Sequence, residues 1–211
     1  VDLTHWIGPK AAGREWLRGA LGGLLGIGLT AWLSHGLLGS DPALPWLVAP
    51  MGASTVLLFV VPASPFSRPW PVLAGHLLSA TIGHGAHVML GGGALTIGLA
   101  VGTAIAVMSL ARCLHPPAGG TAVLMALGSP AIATAGWSFI AAPIALNVMV
   151  LLALAFAFHR ATGHTFPHHA APTMANLAEI EAVLADWDEV LDISGEDLAA
   201  LIEAVEHRRG R

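Results

Sequence analysis

The sequence predicts an all-α membrane protein: six apolar segments forming two inverted three-segment repeats with broken half-helices, plus a short cytoplasmic helical tail. Three observations lead there. Of 211 residues, 55% are hydrophobic and 10% charged, with mean hydropathy +0.72, whereas soluble domains carry about 25% charged residues. Charge is split along the chain: residues 1–172 hold six Lys or Arg (Lys10, Arg14, Arg18, Arg68, Arg112, Arg160) against three acids, and residues 173–211 hold three Arg against ten acids. Finally, Leu114-His115-Pro116-Pro117-Ala118-Gly119-Gly120-Thr121, a polar stretch broken by proline and glycine, separates two long apolar runs. Residues 1–170 form the transmembrane domain and 171–211 an acidic cytoplasmic hairpin.

Trp6 and Trp16 flank the polar N-terminus like interfacial anchors. The N-terminal residues show no cleavable signal pattern, so the first apolar run, Trp16 to Leu38, reads as retained. Its Gly19, Gly22, Gly23 and Gly26 form a small-residue face for close helix packing. After a turn at 39–45, Trp46 to Pro62 is apolar but interrupted at Pro50-Met-Gly-Ala-Ser-Thr55. A proline-rich loop leads to Val72–Leu90, which carries His76, Ser79, Thr81, His84 and His87. Gly91-Gly-Gly93 is a tight turn before the span Ala94–Ala111. A short helix restarts at Pro117, where a missing N–H costs nothing, and ends near Leu127. Ser129-Pro130 breaks the chain, and Trp137–Phe158 is the last span, with Pro143 and Asn147 inside it.

With the N-terminus in the cytoplasm and each segment crossing once, every Lys and Arg of residues 1–172 falls on the cytoplasmic side, as the positive-inside rule requires. Both termini are then cytoplasmic.

Pro50-Met-Gly-Ala-Ser-Thr-Val-Leu-Leu58 aligns without gaps on Pro117-Ala-Gly-Gly-Thr-Ala-Val-Leu-Met125, placing Ser54 over Thr121. Each copy is the second segment of its half, and an odd number of crossings per half gives the inverted plan of many secondary transporters. Chance likeness between small-residue helices is the competing explanation. From Pro50 to Val61 and from Pro117 to Leu127, about a dozen residues at ~1.5 Å each give roughly 17 Å, short of the ~30 Å hydrocarbon core. Each helix must therefore begin near mid-depth, where irregular backbone is tolerated only inside protein or beside a water-filled cavity. Two N-termini pointing at each other would offer free N–H groups, the hydroxyls of Ser54, Thr55 and Thr121, and two positive dipole ends to a small anion.

His115-Pro116-Pro117 followed by Gly-Gly-Thr, together with Ala49-Pro-Met-Gly-Ala-Ser54, Gly75-His76 and Ser79, resembles the HPP family of integral membrane proteins over roughly residues 14–160. The resemblance implies nitrite, with nitrate next, as substrate, because plant chloroplast and cyanobacterial members are implicated in nitrite transport. The acidic tail is similar to the linker joining bacterial members to a pair of CBS domains, which are not in this sequence. A bacterial plasma-membrane protein working as a homodimer is what this resemblance implies.

The expected substrate-binding set is Pro50, Gly52, Ala53, Ser54, Thr55, His76, His115, Pro117, Gly119, Gly120, Thr121 and Asn147. For each polar member a plainer role competes. His115 ligates the anion or merely ends the preceding span. His76, His84 and His87 share one helical face within about 80°, as a proton-relay stripe or as partners for backbone carbonyls. Asn147 must face inward, as substrate contact or packing glue. Arg68 and Arg112 mark the inner interface or steer anions. His164, His168 and His169 lack any nearby spaced Cys or acid and read as loop residues, so no metal and no cofactor is expected. The single Cys113 forms no internal disulfide.

In the tail, Leu177, Ile180, Val183, Leu184, Trp187, Val190 and Leu191 recur at helical spacing. Ser194-Gly-Glu-Asp197 reads as a cap for a second helix. Such a hairpin leaves an apolar stripe for the membrane domain, another subunit or further domains, and its acidity excludes nucleic acid. Two function classes stand: an anion transporter or channel, and a non-transporting sensor or scaffold signalling through the tail. No acid–base pair or nucleophile motif supports an enzyme. Cysteines placed at Arg68 and Arg112 should both react with an impermeant reagent from the cytoplasm; labelling of either from outside breaks this topology.

Overall fold

The computed structural model describes residues 13–39, 45–169, 177–186 and 191–209, and these are helical with no strand among them. Trp6, Lys10, most of the first turn, Trp187 and Val190 lie outside the described residues. The helices are α1 (Glu15–Leu38), α2 (Pro50–Val60), α3 (Pro69–Leu90), α4 (Ala94–Leu110), α5 (Pro116–Leu127), α6 (Pro130–Ala135), α7 (Leu146–Ala161), α8 (Leu177–Ala185) and α9 (Gly195–Arg209). Glu15–Leu38 and the run Ile140–Ala161 are long and apolar enough to cross a bilayer. α3, of 22 residues, reaches about 33 Å.

α1 buries Gly19, Gly22, Gly26, Thr30 and Ser34 and exposes Trp16, Leu21, Leu24, Leu25, Trp32 and Leu37. The buried stripe is small because α2 lies against it. A Cβ at Gly19 would meet Val60, one at Gly23 would meet Thr55, and one at Gly26 would lie 2.4 Å from the Phe59 ring. α2 thus runs antiparallel to α1 and covers only the half nearer Glu15. Its start at Pro50 lies about halfway along α1.

The far end of α2 is capped from another helix. His159 Nε2 donates to the Leu58 carbonyl at 2.8 Å, leaving Nδ1 to face Arg18 at 3.4 Å, and Arg18 pairs with Glu15 at 2.7 Å. Positive charge at a helix C-terminus is favourable. Phe59 is fully buried, stacked on His159 and edge-on to Phe158.

α5 follows α3 in parallel. Gly75 lies beneath His115, Gly83 beneath Ala122 and Met125, and the His87 Nδ1 donates to the Ala126 carbonyl at 3.0 Å. A second core of Ala74, Ala104, Met108, Cys113, Ala118 and Ala122 joins α3, α4 and α5. The larger core gathers Met51, Leu58, Phe59, Val72, Met125, Ile132, Phe139, Ile144, Val148 and Leu151 around α2, α3 and α7.

Several boundaries differ from expectation, each for a local reason. α3 begins at Pro69, because proline fits the first turn of a helix. α5 begins at Pro116, one residue early, with both prolines in its first turn and His115 held extended before them (φ −134°, ψ 101°). The expected loop at Ser129–Gly136 contains α6, capped by the Ser129 hydroxyl. The last span is not one continuous helix. Pro143 bars helical geometry at Ala142 (φ −146°, ψ 116°), and a widened turn over Ile140–Ala145 precedes α7.

In the tail, Ser194 caps α9: its hydroxyl accepts from the Asp197 N–H at 3.1 Å and donates to the Asp197 carboxylate. The tail touches the 62–68 loop, where Ser64 donates to Asp192 and Arg68 lies 3.9 Å from Glu196. Asp197 also accepts from His168 at 2.7 Å. Burial pushes the Asp197 carboxyl up, but the Ser194 and His168 bonds outweigh it and hold it below its ordinary range. Val183, Leu201, Ile202 and Val205 remain exposed.

Gly83 lets two helix backbones meet closely: a Cβ there would lie 2.6 Å from the Ala122 carbonyl oxygen and 2.9 Å from Met125 Cβ. Gly83→Ala should therefore cost about 1–3 kcal/mol as the backbone gives way. Gly28→Ala, with open space around it, should leave the thermal midpoint in detergent unchanged or raised.

Candidate functional site

The first turns of α2 and α5 meet, but side by side. Gly120 packs on Pro50, where an added Cβ would lie 3.4 Å from the Pro50 Cγ, while Ser54 lies 2.9 Å from His115, just before α5. The two half-helices thus overlap antiparallel, each start pointing past the other. The expected head-to-head gap is not what the residues build.

Several of the free backbone donors expected there are absent or engaged. Pro50, Pro116 and Pro117 have no N–H. The Met51 N–H donates to the Val48 carbonyl at 3.1 Å, Gly52 to Ala49 at 3.0 Å and Ala118 to His115 at 2.8 Å. Proline at the first positions removes donors that an anion would use, and short turn bonds engage three of those that follow.

The overlap instead holds a chain of side chains, all with zero exposure: Thr121, His76, Ser54 and His115. Thr121 Oγ1 is 2.7 Å from His76 Nδ1, His76 Nε2 is 2.9 Å from Ser54 Oγ, and Ser54 Oγ is 2.9 Å from His115 Nε2. His115 Nδ1 ends the chain 2.8 Å from the Phe66 carbonyl. The two imidazoles meet edge-on with centroids 5.0 Å apart.

Chemistry fixes the direction of every bond. A carbonyl only accepts, so His115 carries its proton on Nδ1, and the neutral ring leaves Nε2 bare. Ser54 must then donate to His115. Its oxygen must accept from His76 Nε2–H. His76 Nδ1 is therefore bare, and Thr121 donates to it. Ser54 has one proton, so its 3.4 Å approach to the Pro50 carbonyl is contact only. The chain has one polarity, from α5 through α3 and α2 to the 62–68 loop.

Other expected site residues lie around this chain or away from it. Pro117 is buried under the first turn of α5, while Gly52 and Ala53 are exposed on α2 and Gly119 is half-buried. Gly119 and Gly120 line a groove of about 420 Å³ with Val101, Ile105, Met108, Leu114, Pro116 and Val123. Thr55 turns toward α1 and donates back to the Met51 carbonyl at 2.8 Å. Asn147 does not reach the chain. It accepts from Val48 N–H at 3.0 Å and donates to Ser34 at 2.9 Å and to the Trp46 carbonyl at 3.0 Å, pinning the irregular segment before α2.

The three histidines of α3 diverge. His76 enters the chain, His84 packs edge-on to Trp137 at 4.5 Å with Nδ1 unpartnered, and His87 holds the Ala126 carbonyl. A larger cleft of about 510 Å³ beside Arg160, His164 and His169 shares no residue with the chain. No group of metal-ligating side chains occurs among the described residues. The Phe66 carbonyl was not foreseeable, because a backbone acceptor carries no sequence signal; the Ser64-Pro65 turn that aims it was the nearest clue.

These features define a class: an all-helical membrane protein whose interior is interrupted by two proline-started half-helices enclosing a buried hydroxyl–imidazole chain. Residues 8–167 match the model of the HPP transmembrane region, and the chain belongs to the HPP family. It is similar to a transmembrane protein of Dictyostelium discoideum, 33% identical over 116 residues, covering 53% of this chain and 40% of that one. A second transmembrane protein of that organism is 32% identical over 111 residues, 51% of this chain and 35% of the relative. The chain thus matches less than half the length of these curated relatives. No solved structure matches it.

Replacing Asn147 by Leu leaves the Val48 N–H, among other groups, without its partner. Stability should fall by about 1–3 kcal/mol for each group left unpaired, read as a lower unfolding midpoint in detergent.

Proposed function

We propose that this protein is a membrane transporter or channel for small inorganic anions, nitrite first and nitrate next, and not an enzyme. The overlap of the two half-helices carries the reading. Four polar side chains buried in an apolar span are costly and are kept where solute or proton moves. Beside them, glycine leaves backbone bare: around Gly52 and Gly119 a Cβ would meet nothing. Between Asp41 and Glu179 the sequence holds no Asp or Glu, so no fixed negative charge opposes an anion. The anion's path follows the Gly52, Ala53, Gly119 and Gly120 face, with the Ser54, His76, His115 and Thr121 chain behind it.

The same reading sets six crossings as an inverted repeat in a bacterial plasma membrane. Both termini and the Arg68 end of α3 are cytoplasmic, by the placement of the basic residues. A homodimer would cover the exposed apolar stripe of the tail, and CBS domains, where present, would attach beyond it. No cofactor is required. One observation favours a second reading, a sensor signalling through its tail: Asp192 and Glu196 sit on Ser64 and Arg68, in the loop that also supplies the Phe66 carbonyl.

Nitrite and nitrate flux into proteoliposomes separates the two. Gly119→Leu fills open space, so its unfolding midpoint should stay unchanged while flux falls at least about tenfold. Undiminished flux removes this face from the path, and absence of flux in the unsubstituted protein favours the sensor.

A further inference from the structure

We infer that the Thr121–His76–Ser54–His115 chain takes up and passes one proton for each anion moved, so that transport is electroneutral. The inference rests on the anion reading above and names its coupling ion. The geometry that carries it is the single polarity of the chain. Its four links measure 2.7, 2.9, 2.9 and 2.8 Å, and all four side chains are excluded from solvent.

The transfer balances atom by atom. An incoming proton binds a lone pair of Thr121 Oγ1, and the proton already there passes to His76 Nδ1. The His76 Nε2 proton passes to Ser54 Oγ, and the Ser54 proton passes to His115 Nε2. The product is one imidazolium, His115, with Nδ1–H still on the Phe66 carbonyl. Release of that Nδ1 proton to water at the loop completes the passage, and reorientation of the hydroxyls and rings restores the starting state. No oxidant, reductant or metal takes part.

The cation forms where it can serve an anion. His115 immediately precedes α5, and Thr121 immediately follows Gly120 on the groove beside that helix. A monovalent anion beside a lone imidazolium cancels its charge, which lowers the cost of holding either ion in an apolar interior.

The surroundings hold no competing charge among the described residues. From α2 the chain meets Ser54. From α3 it meets His76, with His84 two turns further along, against Trp137. From α4 and its turn come Met108 and the buried thiol Cys113. From α7, His159 is engaged on the Leu58 carbonyl and Arg18. Arg68 and Arg112 are exposed at the loop end, and Asp192 and Glu196 face the loop that carries Phe66.

The test uses the full chain in proteoliposomes, with nitrate as probe because its conjugate acid is too strong to leak across lipid as a neutral molecule. With the membrane potential clamped at zero, an inward proton gradient should drive nitrate above its external concentration. A lumenal dye should report matching acidification. Ser54→Ala should lose at least about tenfold of the proton-driven accumulation, and Ser54→Thr, which keeps the hydroxyl, should restore it. If Ser54→Ala does not fold, Thr121→Val removes the first donor at nearly constant volume and should show the same loss. Nitrate flux indifferent to the proton gradient overturns this inference and leaves the anion reading standing, as does a folded Ser54→Ala or Thr121→Val with full proton-driven accumulation. No movement of nitrate or nitrite in any gradient overturns both.

Discussion

Hydrocarbon offers a polar group no partner, so every donor and acceptor inside the membrane domain must find one within the protein. Starting two short helices inside the domain creates a large demand of this kind. The antiparallel overlap of α2 and α5 meets it in two ways. Prolines at Pro50, Pro116 and Pro117 delete donors that a helix start would otherwise expose. Short turn bonds engage the N–H groups of Met51, Gly52 and Ala118. Side chains then bond one another across the overlap, from Thr121 to the Phe66 carbonyl. Removing one member orphans its neighbours, which is the expensive direction of change.

Close packing makes the overlap reachable. Gly75 admits His115, Gly83 admits Ala122, and Gly120 admits Pro50. On the other side, Gly19, Gly22 and Gly26 let α1 approach Val60 and Phe59. Without a strong hydrophobic force between helices in lipid, such contact surfaces supply much of the association energy. Asn147 extends the logic to the irregular segment before α2, where its amide satisfies three groups at once.

Much of this was legible in the sequence because membrane helices obey few rules. Hydropathy located α1, α3, α4 and the end of α7 within a few residues, and proline with glycine located the starts of α2 and α5. The pairing of Ser54 with His115 and of His76 with Thr121 was not legible. Periodicity placed His76, His84 and His87 on one face, yet each answers to a different neighbour on α5, on the turn before α7, or on α2. The side-by-side passage was also hidden, since length says that a helix is short but not how far two short helices overlap. Pro143 was visible as a helix breaker. That Ala142 would turn extended there depends on packing beneath α7, where Ile144 and Val148 are fully buried.

The 62–68 loop joins the buried chain to the tail and is held from both sides. Ser67 is fully buried and donates to the Val61 carbonyl at 2.9 Å, with the Leu57 carbonyl 3.1 Å away, closing the end of α2. Arg68 and Glu196 are 3.9 Å apart and about half exposed, an ion pair of the kind worth ~0–1 kcal/mol. Ser64 to Asp192 adds one partly buried hydrogen bond to a charged group, about 1.5–3 kcal/mol at most. The Phe66 carbonyl lies between these anchors, two residues from Ser64 and one from Ser67. Its position is therefore held from both sides, by the end of α2 through Ser67 and by the tail through Ser64 and Arg68. Since that carbonyl fixes the proton on His115 Nδ1, and with it every bond back to Thr121, the polarity of the chain belongs to the membrane domain itself. In the proton transfer proposed above, the tail acts by moving this acceptor, and hence on the rate at which the last proton leaves.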